Sequence, residues 1–296
     1  MGKIPDRPQI SQLVDMFSPP AVLEEVKNVF INSYPVGEFG TVRKVFADFI
    51  RLYNGKYPGF HACNTHYHDK MHITDAMLAM ARLIDGYNTA HKKIPARLAK
   101  LGLIAAIFHD AGFIKSVHDL KGTGAKYTLT HVERSIHFVK AYFRKHGFAA
   151  KDARAVANMI LCTEMSLPVE KIGFSGADER KVALMLGAAD LLGQMASRCY
   201  LERLLFLYRE FQEGQVQGFS SELDLLHKTL GFSGFIDKRL AVTLEGVDRY
   251  AKVHFRKRYR INKDLYRESM GKQLAYLKDT VLNNPAKYRD YLRRAR

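Results

Sequence analysis

The sequence predicts an all-α fold. Apolar residues recur at helical spacing along most of the chain, and clean two-residue alternation is hard to find. A 47% hydrophobic content lets 296 residues bury a large core without disulfides or structural zinc. Glycine and proline fall mainly where one helical stretch gives way to the next.

Residues 21–32 (AVLEEVKNVFIN) and 41–53 (TVRKVFADFIRLY) read as amphipathic helices, with Thr41 placed to cap the second. Residues 54–66 are turn-rich and interrupt the pattern. Helical stretches then follow at about 69–86, 95–110, 129–146, 151–163, 179–212, 222–230, 236–260 and 264–282. Pro95 suits a first helical turn, whereas Gly112 and Gly147 suit helix stops. The loop between Asp110 and Thr130 is long enough to suggest function or mobility. The expected architecture is a compact bundle at 60–240, with an N-terminal helical extension (1–59) and a C-terminal one (241–296) packed on the same body.

The cysteines Cys63, Cys162 and Cys199 are odd in number, far apart and in no CxxC pair, which argues for a reducing, cytoplasmic compartment. Met1 to Pro20 carries prolines and charges where a signal peptide would be apolar, and no 18-residue apolar run exists to span a bilayer. The net charge of +16 attracts polyanions and says nothing about fold. From Arg249 to Arg296 there are 15 Lys/Arg against Asp264, Glu268, Asp279 and Asp290. That basic stretch is a candidate polyanion contact, weighed against a plain solvated helix face whose tyrosines dock on the body.

Four stretches carry chemistry. On a helix, His68, His72 and Asp75 share one face at i, i+4 and i+7. His109-Asp110 closes an apolar helix, where the turning backbone lets both side chains reach one ion. His131 and Glu133 follow in the Thr130–Glu133 stretch. Asp190 stands among Leu186, Leu191 and Leu192, where a carboxylate is costly unless paired or metal-bound. Mixed nitrogen and oxygen donors of this kind suit Zn, Mn, Fe or Mg.

The order H…HD…D resembles the HD superfamily of metal-dependent phosphohydrolases. Closer in, Tyr67-His68-x-x-x-His72-x-x-Asp75 is similar to the first motif of class I cyclic nucleotide phosphodiesterases, with Asp69 for Asn. His109-Asp110, Thr163-Glu164-Met165, Ala188-Ala189-Asp190-Leu191, Glu210-Phe211-Gln212-Glu213-Gly214 and Gly234-Phe235-Ile236-Asp237 resemble further motifs in family order. The resemblance implies that His72, His109, Asp110 and Asp190 hold a first metal and that Asp110 bridges to a second. It makes His68 the general acid, Glu133 the holder of metal-bound water and Phe235 the clamp on a base. Asp75 is expected to orient a ligand histidine or to be an exposed helix charge.

Three departures stand out. Phe113 replaces the HD-x-x-H histidine, so a second site needs His131 or water. Phe232 stands where the base-reading glutamine would be. Shorter intervals between the later motifs imply a trimmed pocket. The implied activity is hydrolysis of a phosphodiester in a cyclic nucleotide or cyclic dinucleotide by metal-activated hydroxide, with two divalent ions. The alternatives are an HD-type nucleotide or alarmone phosphomonoesterase, and a polyanion-binding protein with a degenerate HD core.

Overall fold

The structure, a computed structural model, describes residues 9–293. The start of the Met1–Pro20 stretch and the last three residues of the basic end lie outside the described residues. The main helices are α1 (Pro19–Phe30), α2 (Gly40–Tyr53), α3 (Lys70–Ala90), α4 (Ala96–Phe108), α5 (His131–Lys145), α6 (Ala150–Leu161), α7 (Ala177–Met195), α8 (Tyr200–Glu213), α9 (Glu222–Lys238), α10 (Tyr250–Tyr259) and α11 (Leu265–Tyr276). Among the described residues the β-pairing is confined to one isolated bridge between Phe60 and Ser116. The chain is all-α.

Two helices form the axis. α3 and α7 are buried on nearly all sides, as helices with apolar residues all round should be. α1, α4 and α10 pack on α3, while α4, α6 and α11 pack on α7. α3 crosses α7 very closely. A Cβ on Gly193 would lie 2.8 Å from the backbone nitrogen of Ala76, so only glycine permits this approach. The crossing sets Asp190 beside His72. The Asp69 carboxylate caps α3 by accepting from the backbone N–H of Met71 (2.9 Å) and His72 (3.0 Å), which starts the helix two residues before the histidine.

Several expected boundaries moved. Thr41 lies inside the first turn of α2 and does not cap it, and Pro95 is the N-cap of α4 and not part of its first turn. The stretch 179–212 divides into α7 and α8. The break at 196–199 is made by α11: Ser269 donates to the Ala196 carbonyl (2.8 Å), and Gln273 Nε2 donates to the Ser197 and Arg198 carbonyls (2.9 and 3.2 Å). Conversely, α9 continues through Gly231 and Gly234 to Lys238. A π-turn at Arg239–Thr243 then leads toward α10.

The basic C-terminal stretch is built into the body. α10 buries Tyr250, Ala251, His254 and Phe255 against α3, and Arg258 pairs with Glu25 of α1 at 3.1 Å. No described helix is long and apolar enough to cross a membrane.

Candidate metal centre

Four side chains converge at the α3–α7 crossing. His72 Nε2 lies 3.1 Å from Asp110 Oδ2, 3.2 Å from Asp190 Oδ1 and 3.2 Å from His109 Nε2. His109 Nε2 lies 3.4 Å from Asp110 Oδ2 and 3.6 Å from Asp190 Oδ1. The donor atoms of His72, His109 and Asp110 are all within 4.8 Å of one another, and Asp190 joins them through its contacts to both imidazoles. Ligands about 2.1 Å from an ion stand about 3.0 Å apart on an octahedral edge and about 3.4 Å apart on a tetrahedral one. The spacings among His72, His109 and Asp110 fall in that range, as does His72 to Asp190, and His109 to Asp190 lies just beyond it.

The protonation pattern agrees. His109 Nδ1 is 2.9 Å from the Ala106 carbonyl and must carry the hydrogen there, which leaves a lone pair on Nε2. Asp110 Oδ2 and His72 Nδ1 are buried and have no well-directed hydrogen-bond partner among the described residues. Burial alone would lower the His72 pKa, but its close polar contacts with Asp110 and Asp190, and their charges, outweigh that and raise it to about 10. His109 is raised too: against burial stand the charges of both carboxylates and a polar contact with Asp190. Both carboxyls are held well below the usual carboxylate range, because the two histidines outweigh a burial that would raise them. The quartet demands positive charge at its centre, and a divalent cation fits it.

The other oxygen of Asp110 faces a second acceptor. Asp110 Oδ1 is 3.6 Å from His131 Nε2, whose Nδ1 is 2.6 Å from the Thr128 carbonyl. Burial lowers the His131 pKa more than Asp110 raises it, so the ring is neutral and offers a lone pair. Gly112 allows this meeting: a Cβ there would lie 2.0 Å from the His131 carbonyl oxygen.

Phe113 is buried between two imidazoles. Its ring stacks on His68 (4.1 Å, 13°) and on His131 (4.6 Å, 22°). The position that departs from the HD-x-x-H pattern therefore holds two histidines in place.

His68 stands just before α3 and not on its face, because Asp69 caps the helix. Its Nδ1 is 2.7 Å from Glu210 Oε2, and Glu210 Oε1 accepts the backbone N–H of His66 (2.7 Å) and Tyr67 (2.6 Å). Burial would raise the Glu210 pKa, but these bonds and the charge of His68 hold it below its ordinary value. The Tyr67 hydroxyl donates to Gln194 Oε1 (2.5 Å), and Gln194 Nε2 donates to Asp190 Oδ1 (3.4 Å). Sequence reasoning missed the roles of Glu210 and Gln194. Glu210 sits inside a recognised motif, and Gln194 stands one helical turn after Asp190.

The remaining expected site residues lie elsewhere. Asp75 does not orient His72, whose Nδ1 has no hydrogen-bond partner among the described residues; it hydrogen-bonds Ser197 and lines a different cavity. Glu133 is exposed on the first turn of α5 and is not in the cavity wall. Phe235 is half exposed and stacks on Phe232 (5.7 Å), and it is Phe232 that lines the cavity. That cavity holds about 620 Å³ and opens on His68, His131 and Asp190.

A family model described as Npun_R2479-like matches residues 118–236. The matched span includes His131, Asp190, Glu210 and Phe232 but starts after His109-Asp110. No curated protein and no solved structure matched the chain.

Proposed function

We propose that the protein is a metal-dependent phosphoesterase, similar in chemistry to the HD phosphohydrolases, acting on a phosphodiester. The observation that carries this reading is the quartet of His72, His109, Asp110 and Asp190 at coordination-shell spacing, beside a histidine–glutamate pair on the same cavity. His72, His109, Asp110 and Asp190 would hold one divalent ion, and Asp110 with His131 offers donors to a second. Such ions supply Lewis acidity, drawing charge from phosphoryl oxygens and acidifying water.

The chain's own residues do the rest. Glu210 fixes the His68 ring and takes its Nδ1 proton as a hydrogen bond, so Nε2 is the nitrogen that passes a proton to the departing alkoxide. The two N–H bonds into Glu210 keep that carboxylate ionised, and an ionised partner stabilises the imidazolium. Phe113 holds the His68 ring plane by stacking. Gln194, itself held by Tyr67, keeps Asp190 aimed at the two imidazoles.

The test is a panel. Purified protein with Mn, Mg, Zn or Fe is assayed against cyclic mono- and dinucleotides, aryl phosphodiesters and nucleoside monophosphates, with metal content measured in parallel. Metal-dependent diester cleavage without phosphate release supports the proposal. Phosphate release from monoesters alone would make the enzyme a phosphomonoesterase, and no turnover with any metal would end the reading.

A further inference from the structure

Behind His68 and Asp190 the cavity is an apolar chamber. Leu191 and Met195 of α7, Leu204, Leu207 and Phe211 of α8, and Phe232 of α9 are among the apolar residues that line it. Its volume, about 620 Å³, suits an organic group of drug size and exceeds what a phosphate with a small alcohol needs.

The polar groups of that chamber are already engaged. The hydroxyls of Thr128, Thr163 and Thr229 donate to the carbonyls of Ala125, Ile160 and Leu225 at 2.6, 2.8 and 2.8 Å. Gln194 is held between Tyr67 and Asp190. Lys228 donates to Asp224 (2.8 Å) and to the Gly218 carbonyl (2.6 Å). Beyond the histidines and Asp190, bonding capacity remains on the Tyr200 hydroxyl, one Glu164 oxygen, the third N–H of Lys228 and the acceptor side of the threonine hydroxyls. Most of the wall is nevertheless apolar, so a nucleoside would bury donors and acceptors against side chains that cannot pair with them, and each one buried unpaired weakens binding about tenfold. An apolar group of equal size meets no such penalty.

The mouth continues the same character. Phe232 and Phe235 stack side by side there, 43% and 49% exposed. Leu129, between the lining residues Thr128 and His131, is 69% exposed.

We propose that the substrate is a phosphodiester bearing a bulky apolar alcohol, aryl or long-chain alkyl, which occupies this chamber while the phosphate sits at the metal quartet. The proposal rests on the phosphoesterase reading. In the reaction, the oxygen of water bonds to phosphorus and the P–O bond to one alcohol breaks. The proton on His68 goes to the departing alkoxide, and a proton from water replaces it, leaving a phosphomonoester and a free alcohol.

The experiment compares p-nitrophenyl phosphodiesters whose second ester is methyl, decyl or 5′-thymidyl, with metal-loaded full-length protein. Decyl is expected to exceed methyl in kcat/KM by about 100-fold and thymidyl by at least about tenfold, from burial of the added methylenes. Calorimetry with decylphosphonate gives a second readout, and Phe232→Ser, at an exposed position that spares the core, should weaken its binding about tenfold. A thymidyl ester preferred over decyl, or decyl no better than methyl, overturns the substrate class while leaving the hydrolase intact. If no ester turns over with any metal, the hydrolase reading fails. The chamber is then judged by decylphosphonate alone: affinity sensitive to Phe232→Ser upholds it, and absent or insensitive binding overturns it. Adding phosphatidylglycerol vesicles separates the sources. Stimulation points to a lipid-borne ester, and fastest turnover of the monomeric decyl ester points to a dissolved one.

Discussion

α7 and α8 line two cavities of similar size and opposite chemistry. The one that opens on His68, His131 and Asp190 holds about 620 Å³, whereas the one beside Asp75 and Arg82 holds about 670 Å³ and is bordered by residues 10–17. Both adjoin buried charge. In the larger cavity, donors face acceptors: Arg203 pairs with Asp69 (2.7 Å) and reaches the Tyr67 carbonyl, and Asp75 bonds Ser197. Arg82 is the exception: Nη1 donates to the Tyr266 hydroxyl (3.0 Å) and the rings of Phe255 and Tyr266 lie at 5.4 and 5.6 Å, but Nε and Nη2 have no hydrogen-bond partner among the described residues. Behind Asp190 in the wall of the smaller cavity, two imidazoles and two carboxylates converge. Paired opposites lock a fold, while two imidazoles and two carboxylates that converge on one point form a group that could hold a metal ion. Volume alone would have selected the larger cavity as the site. The sign of the partners selects the other.

The largest expected effect tests that contrast directly. Asp110→Ala should empty the centre of metal and reduce phosphodiesterase turnover by about 1000-fold or more, because it removes a carboxylate on which the quartet depends. Arg82→Met, at the larger cavity, should keep the metal and change stability by no more than about 2 kcal/mol, since an apolar side chain replaces a desolvated cation. Elemental analysis and thermal unfolding of both variants decide it. Metal lost with Arg82 and retained without Asp110 would reverse the comparison.

The next divides two histidines on either side of the α3 cap. His72→Ala should lose metal, whereas His68→Ala should keep it and lose about 100-fold in kcat through the missing proton donor. Equal metal loss in the two variants would make His68 a ligand.

Asp75 sharpens the comparison through pH. Burial raises its carboxyl to about 7, against the opposing charges of Arg203 and His72. Between its ordinary pKa of 3.8 and about 7 the folded protein therefore binds a proton that the unfolded chain does not. This contribution to stability is present below about pH 4 and is lost as pH rises through 7. It amounts to roughly 2 kcal/mol once relaxation of the site is allowed for. Asp75→Asn should flatten that slope in denaturant unfolding between pH 4 and 8. An unchanged slope would show that Asp75 is ionised throughout.

Much of this was legible from periodicity. The helices that carry the four converging side chains, α3, α4 and α7, were visible because one pattern, apolar residues at 3.6 spacing, covers each of them, and His72, His109, Asp110 and Asp190 interrupt or end it. What was not legible depended on contacts between distant parts of the chain. Gln273 divides α7 from α8 from some 75 residues away, and no Gly or Pro marks the break. Asp75 shares a helix face with His68 and His72 on paper. Yet the Asp69 cap leaves His68 outside the helix, and His72 meets Asp110 and Asp190 while Asp75 lines the cavity bordered by residues 10–17. Glu133 and Phe235 were assigned by motif alone, and the direction in which α5 and α9 present them depends on packing that a motif does not contain.

Phe113 gives the smallest effect and the finest test. It stacks between His68 and His131, so it acts on the site through the rings beside the quartet. A stacked pair is worth about 0.5–1.5 kcal/mol beyond burial, a factor of about 2–12 in rate if it is spent on holding His68 in line. Phe113→Leu preserves apolar volume and should keep the metal and the fold, lowering kcat by about that factor with KM nearly unchanged. A fall in metal content instead would mean that the ring supports His131 as a ligand more than it supports His68 as a donor. Phe113→His probes the same point from the other side, because it places a nitrogen donor in the turn that follows Asp110 and next to His131. Tighter metal binding in that variant is the expected outcome, and unchanged metal content would show that position 113 supplies only a stacking surface.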